Sequence, residues 1–152
     1  MNPAGTPPVM LGNGRPARPQ VMMRVVAALP RVLVAEDESQ LLRVLVRVLE
    51  KRGYAAVSAA DGKTAIDMLR KTPSEIDAIV LDAAIGPDGA GPVLEVLAAE
   101  QPQIRVILTS GAELADSLRS RLRESGGCFL LKPFAPSALL EAVERSLANR
   151  SG

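Results

Sequence analysis

The sequence predicts an α/β protein: a doubly wound, five-stranded parallel sheet with helices on both faces. Two observations predict it. Five short apolar runs alternate with five stretches of helical spacing between residues 31 and 149, the pattern of right-handed strand–helix–strand crossovers. The apolar runs are continuous rather than alternating, as in strands covered on both faces. The size agrees: 152 residues, 47% hydrophobic and 23% charged, suit one domain with a single sizeable core.

The elements follow in order. Residues 31–35 (RVLVA) form the first apolar run, and residues 39–52 carry apolar positions at 41, 42, 45, 48 and 49, which is helical spacing. Gly53 stops that helix, as a glycine just past a C-terminus does. Residues 54–59 are the second strand, and Asp61 caps a helix running to about Lys71, with Ala65, Ile66 and Leu69 inward. Residues 78–81 (AIVL) are the third strand. A Gly/Pro-rich loop over 86–92 leads to a helix ending near Gln101. Residues 105–109 are the fourth strand, 113–124 a helix carrying Arg119, Arg121 and Arg123, and Gly126-Gly127 break it. Residues 128–131 are the fifth strand, and 137–149 the last helix, with Leu139, Leu140, Val143 and Leu147 on one face.

Residues 1–30 differ from this body. They hold six of the twelve prolines and no acidic residue, and their charges are Arg15, Arg18 and Arg24. A Pro/Gly-rich stretch without periodicity cannot order itself by burial, so 1–30 is expected to be a disordered or weakly ordered arm, 31–149 the domain and 150–152 a tail. The segment 21–29 is more apolar and is expected to fray, form a short helix or dock on the body. Arg24 interrupts it and the run past Pro30 reads as a core strand, which argues against a signal peptide. A start at Met22 or Met23 is the other reading of the arm.

Composition excludes several chemistries. The sequence has no histidine, which removes Ser-His, Cys-His and His-metal sites. One cysteine, Cys128, leaves no intrachain disulfide framework and reads as a core residue. No apolar run approaches the ~18–20 residues that span a bilayer. Three aromatics and a net charge of +1 give no case for nucleic acid or a membrane surface as a partner.

The informative feature is where the polar residues fall. The first apolar run ends in Glu36-Asp37, the third in Asp82, the fourth in Thr109-Ser110 and the fifth in Lys132-Pro133. In a parallel sheet those ends share one edge, where ligands of open α/β sheets bind. Three carboxylates in one cleft repel one another, and a hard divalent cation such as Mg²⁺ relieves that. A carboxylate beside a cation can attack phosphorus, with a lysine and a hydroxyl compensating charge on the phosphoryl oxygens.

Read in order, Glu36-Asp37, Asp82, Ser110 and Lys132-Pro133-Phe134, with Phe129 three residues before the lysine, resemble the receiver domains of two-component response regulators. The resemblance covers about residues 31–149 and implies a flavodoxin-like sheet of order 2-1-3-4-5. It further implies that Asp82 accepts a phosphoryl group from a histidine kinase or phosphotransfer protein. Glu36, Asp37, Asp82 and the backbone carbonyl of Ala84 would hold Mg²⁺ or Mn²⁺. Lys132 and Ser110 would bind the phosphoryl group, Ser110 and Phe129 would act as the switch, and the Lys132–Pro133 bond would be cis. Thr109 competes with Ser110 for the hydroxyl role; Ser110 is preferred because Lys132 lies 22 residues on. The resemblance also implies a cytoplasmic protein that is not an enzyme beyond weak self-phosphorylation and self-dephosphorylation. Its output would be contact with a protein partner through the face from Arg119 to Phe129, as a monomer or a phosphorylation-dependent homodimer. With three residues after Asn149, a stand-alone receiver is expected.

The match is imperfect. The loop after Asp82 reads AAIGPDGAG, with Pro87 one place late and extra glycine, and Phe129 lacks the hydroxyl of the commoner tyrosine. Taken singly, each residue also has an ordinary reading: Glu36-Asp37 as a solvated strand end, Asp82 as a loop aspartate, Ser110 as a turn residue, Lys132-Pro133 as a strand terminator, Phe129 as core, and the three arginines as a solvated helix face. Two rivals remain. One is a receiver-like adaptor that is never phosphorylated and binds constitutively. The other, an aspartyl-phosphate phosphohydrolase, needs a second aspartate where this chain has Ala84.

Overall fold

A computed structural model describes residues 29–149; residues 1–28 of the arm expected over 1–30, and the tail, 150–152, lie outside the described residues. The elements alternate throughout: β1 (Arg31–Ala35), α1 (Ser39–Lys51), β2 (Ala55–Ala59), α2 (Gly62–Lys71), β3 (Ala78–Asp82), α3 (Gly91–Glu100), β4 (Arg105–Ser110), α4 (Asp116–Glu124), β5 (Cys128–Leu131) and α5 (Pro136–Ala148). The strands pair in parallel in the order β2-β1-β3-β4-β5.

Period-2 alternation splits the strand side chains between two apolar layers. Leu33, Ile79, Leu81 and Leu108 pack with Leu69 of α2, Val93 and Leu97 of α3 and Leu122 of α4. Val32, Val34, Val80 and Ile107 pack with Leu45 and Leu49 of α1 and Leu139 and Val143 of α5. The strands β1, β3 and β4 are therefore buried on both faces, as their continuous apolar runs require.

The strand β5 departs from that expectation. Cys128 and Leu130 are half-buried, but Phe129 and Leu131 are exposed, the latter at 55%. The physical reason is position. As an edge strand, β5 is packed against α5 by Cys128 and Leu130, while its other face is left open. The helix α4 also begins later than expected, at Asp116 rather than residue 113. Leu114 turns into the core first, and Ala115 is extended, with φ −60° and ψ 152°.

Local signals place the other boundaries. The Asp61 side chain accepts a hydrogen bond from Thr64 N–H at 2.7 Å, capping α2. Gly53 closes α1 with φ +99°, a conformation that L side chains rarely adopt. The register sets Asp82 opposite Thr109 and Ser110 opposite Leu131, and Glu36 N–H bonds to Ala59 O. The polar residues that end the apolar runs thus reach one edge of the sheet.

Candidate functional site

Glu36 and Asp37 follow β1, Asp82 ends β3, and together they form the carboxylate group at that edge. One oxygen from each lies within 4.8 Å of the others. The three differ in environment. Glu36 is 2% exposed and Asp82 6%, whereas Asp37 is exposed.

Lys132, just past β5, reaches into the group. Its Nζ lies 2.8 Å from Glu36 Oε1 and 3.4 Å from Asp82 Oδ1. The second oxygen of Glu36 accepts from Glu38 N–H at 3.1 Å. Burial pushes the Glu36 carboxyl above its ordinary value, and the bonds from Lys132 and Glu38 only partly offset this. Burial alone would lower the Lys132 ammonium, but the Glu36 hydrogen bond and the charges of Asp82 and Glu36 outweigh it and hold it above its ordinary value. One lysine therefore stabilises two buried carboxylates. The sequence reading gave Lys132 a phosphoryl partner and did not foresee this pairing with Glu36.

Asp82 Oδ1 also accepts from Ala84 N–H at 3.2 Å, so one oxygen takes both contacts and the other takes neither. The loop after β3 folds back over the site. Ile85 is buried in the core, Gly86 takes φ +60°, and its N–H donates to Asp37 Oδ2 at 3.1 Å. Neither contact was foreseen. The signal in the sequence is the Ile85-Gly86 pair, an apolar anchor followed by a residue free to turn back.

Ser110 is at the edge, but its hydroxyl is turned into its own loop. Oγ accepts from Ala112 N–H at 3.1 Å and donates to Ala112 O at 2.8 Å. Thr109, the competing hydroxyl, is buried at the position opposite Asp82. Phe129 is 38% exposed and stands on the solvent-open side of β5, not in the core. The Lys132–Pro133 peptide bond is cis. The arginines of α4 are exposed, yet Arg121 is engaged: Nη1 donates to Gly91 O at 3.3 Å and Nη2 to Glu95 Oε1 at 3.1 Å.

The donor set is all oxygen: three carboxylates, with Ala84 at the exposed rim. Oxygen-only donors carrying excess negative charge suit a hard divalent cation that keeps several waters. The residues present fit such an ion, and a nucleophilic carboxylate with a lysine beside it suits phosphoryl transfer.

The comparisons with known proteins agree with this geometry. Residues 32–144 match the family described as the response regulator receiver domain. The chain belongs to that family. Among curated relatives, the alginate biosynthesis transcriptional regulatory protein AlgB of Pseudomonas aeruginosa is 28% identical over 120 residues, covering 79% of this chain and 26% of AlgB. The sensor kinase CckA of Brucella abortus is 32% identical, covering 78% of this chain and 13% of CckA. The transcriptional regulatory protein PrrA of Mycobacterium tuberculosis is 31% identical, covering 80% of this chain and 51% of PrrA. The chain thus spans about a quarter of the length of AlgB and about half that of PrrA. Among solved structures, a CheY-like receiver domain from Methanospirillum hungatei superposes with a TM-score of 0.74 at 20% identity, covering 82% of this receiver chain and 98% of that one. A Francisella response regulator receiver domain gives 0.67 at 28% identity, covering 81% and 99%. The chain is a CheY-like receiver domain of the two-component kind, with the flavodoxin-like strand order its residues imply.

Proposed function

We propose that residues 31–149 work as a phosphorylatable receiver, with Asp82 as the phosphoacceptor. The observation that carries this is the pairing of a nearly buried Asp82 with two further carboxylates and the Lys132 ammonium at one sheet edge. An Asp82 oxygen attacks the phosphorus of a phosphohistidine; the P–O bond forms, the P–N bond breaks, and the departing imidazole nitrogen keeps the electron pair and takes a proton from solvent. This sequence contains no histidine, so the donor imidazole lies outside it, on a histidine kinase or phosphotransfer protein.

Glu36, Asp37, Asp82 and the Ala84 carbonyl would hold Mg²⁺ or Mn²⁺, which neutralises charge on the transferred group when bound. Lys132 then exchanges a carboxylate for a phosphoryl oxygen. Ser110 gives up its bonds to Ala112 to follow that oxygen, and Phe129 responds to the space left behind. Phosphorylation biases a two-state equilibrium whose readout is a protein contact through the face from Arg119 to Phe129, as monomer or homodimer. The chain supplies only the weak self-phosphorylation and self-dephosphorylation of its own Asp82. A cytoplasmic location goes with such a donor; among the described residues no helix is long and apolar enough to cross a membrane.

The test is intact mass after incubation with acetyl phosphate. A gain of about 80 Da, one phosphoryl group, is expected with Mg²⁺ and is lost both without the metal and in Asp82→Ala. An unchanged mass in every condition would overturn the proposal in favour of a constitutive adaptor.

A further inference from the structure

A cavity of about 550 Å³ opens between α3 and α4, away from the carboxylates. Leu94, Leu97, Ile104 and Val106 form its apolar floor, and Glu124 and the Arg121–Glu95 ion pair stand at its rim. The slot exists because α4 is short and polar. It has nine residues, and Leu122 is its one buried side chain, so it does not close against α3 along its length. A second apolar groove lies between α1 and α5, under Val44 and Pro133, and is flanked by the basic stripe Arg43, Arg47 and Lys51.

We propose that residues 21–28 of this same chain (VMMRVVAA) dock in the α3–α4 slot, placing a methionine side chain over its floor and Arg24 beside Glu124 at its rim. Three observations choose this occupant. The first is where the described chain starts. Leu29 is 57% exposed, and Pro30 O accepts from Ala55 N–H at the N-terminal edge of the sheet. Asp77 links that edge across: its N–H bonds to Arg31 O, and its O accepts from Arg105 N–H. Ile104 and Pro102, at one end of the slot, lie on this same edge. The strands β1 and β4 are two strand spacings apart, about 10 Å, and the seven residues from Met22 to Ala28 extend to about 23–25 Å. The segment reaches.

The second is shape. A slot with a floor already nearly buried admits single unbranched side chains rather than backbone, and Met22 and Met23 are the flexible, apolar kind that fill such gaps. The third is charge. The arm from 1 to 30 carries arginines and no acid, so it is drawn to Glu124, because Glu95 is already paired with Arg121 at 3.1 Å, and is repelled by the two arginines and the lysine beside the other groove. Docking there holds α4 against α3.

The test uses the full chain with Cys128→Ala and a nitroxide label on Ala98→Cys, an exposed rim position. Methionine methyl signals are read by NMR. Broadening of Met22 and Met23, with Met1 and Met10 left sharp, is expected. Arg24→Glu should sharpen them, and Arg24→Glu with Glu124→Arg should restore the broadening. Met22 and Met23 as sharp as Met1 and Met10 would overturn the proposal. So would broadening only from a label at Val44→Cys, which places the arm on α1, or broadening that fades on dilution, which makes the occupant a second copy. None of these outcomes depends on whether Asp82 takes a phosphoryl group.

Discussion

Lys132 is the residue on which the electrostatics of the site turn. Glu36 and Asp82 are both nearly buried, and an unpaired buried carboxylate is far more costly than an unpaired exposed one. Removing the ammonium in Lys132→Ala leaves both without their shared counter-charge. The side chain of Lys132 is itself 22% exposed, so water recovers part of the loss. A destabilisation of about 1–3 kcal/mol is expected in chelator, read as a fall in urea midpoint. Mg²⁺ should narrow the gap to the parent protein, because it supplies the missing positive charge. A gap unchanged by Mg²⁺ would mean that the three carboxylates do not share an ion. The sequence placed all these residues at one edge because each follows or ends an apolar run. It could not tell which oxygen Lys132 holds, nor that Gly86 N–H reaches Asp37, because both depend on how a loop and a long side chain settle between strand ends.

At the scale of an element, α4 is the weakly seated helix. It is held by Leu122 in the core, by Arg121 on α3 and by the turn at Gly126-Gly127. The second glycine is there for space. A Cβ on Gly127 would stand 2.5 Å from Leu122 Cδ1 and 2.7 Å from Val106 O, and a backbone oxygen in a strand cannot yield. Gly127→Ala should therefore cost about 1–3 kcal/mol, the range for overpacking. Hydrogen exchange should show the loss of protection concentrated in α4. Equal loss across all five helices would show that α4 is no looser than the rest. The two glycines were legible as a break, but only as a break: their steric role needs the neighbouring strand. The late start of α4 was hidden for a similar reason, since Leu114 fits a helical pattern yet is buried from an extended segment. The exposed face of β5 was hidden because a run such as CFLL reads alike at the centre and the edge of a sheet.

For the whole molecule, the central question is whether the two apolar layers behave as one unit. They share β1, β3 and β4, whose alternate residues feed opposite faces. That sharing is why the fold was readable at all: three continuous apolar runs could only be strands covered twice. Ile85 lies in the layer under α2, α3 and α4, and Ile107 in the layer under α1 and α5. Each is fully buried, so Ile85→Val and Ile107→Val should each cost about 0.5–1.5 kcal/mol. The two side chains sit on opposite sides of the sheet and share no cluster, so the double variant should equal the sum to within about 0.5 kcal/mol. If the sheet makes one cooperative domain, all three urea curves shift in midpoint and keep one slope. A shallower slope in either single variant would mean that one layer melts ahead of the other. The layer under α4 would be the first suspect, because α4 seats a single buried side chain, Leu122, in it.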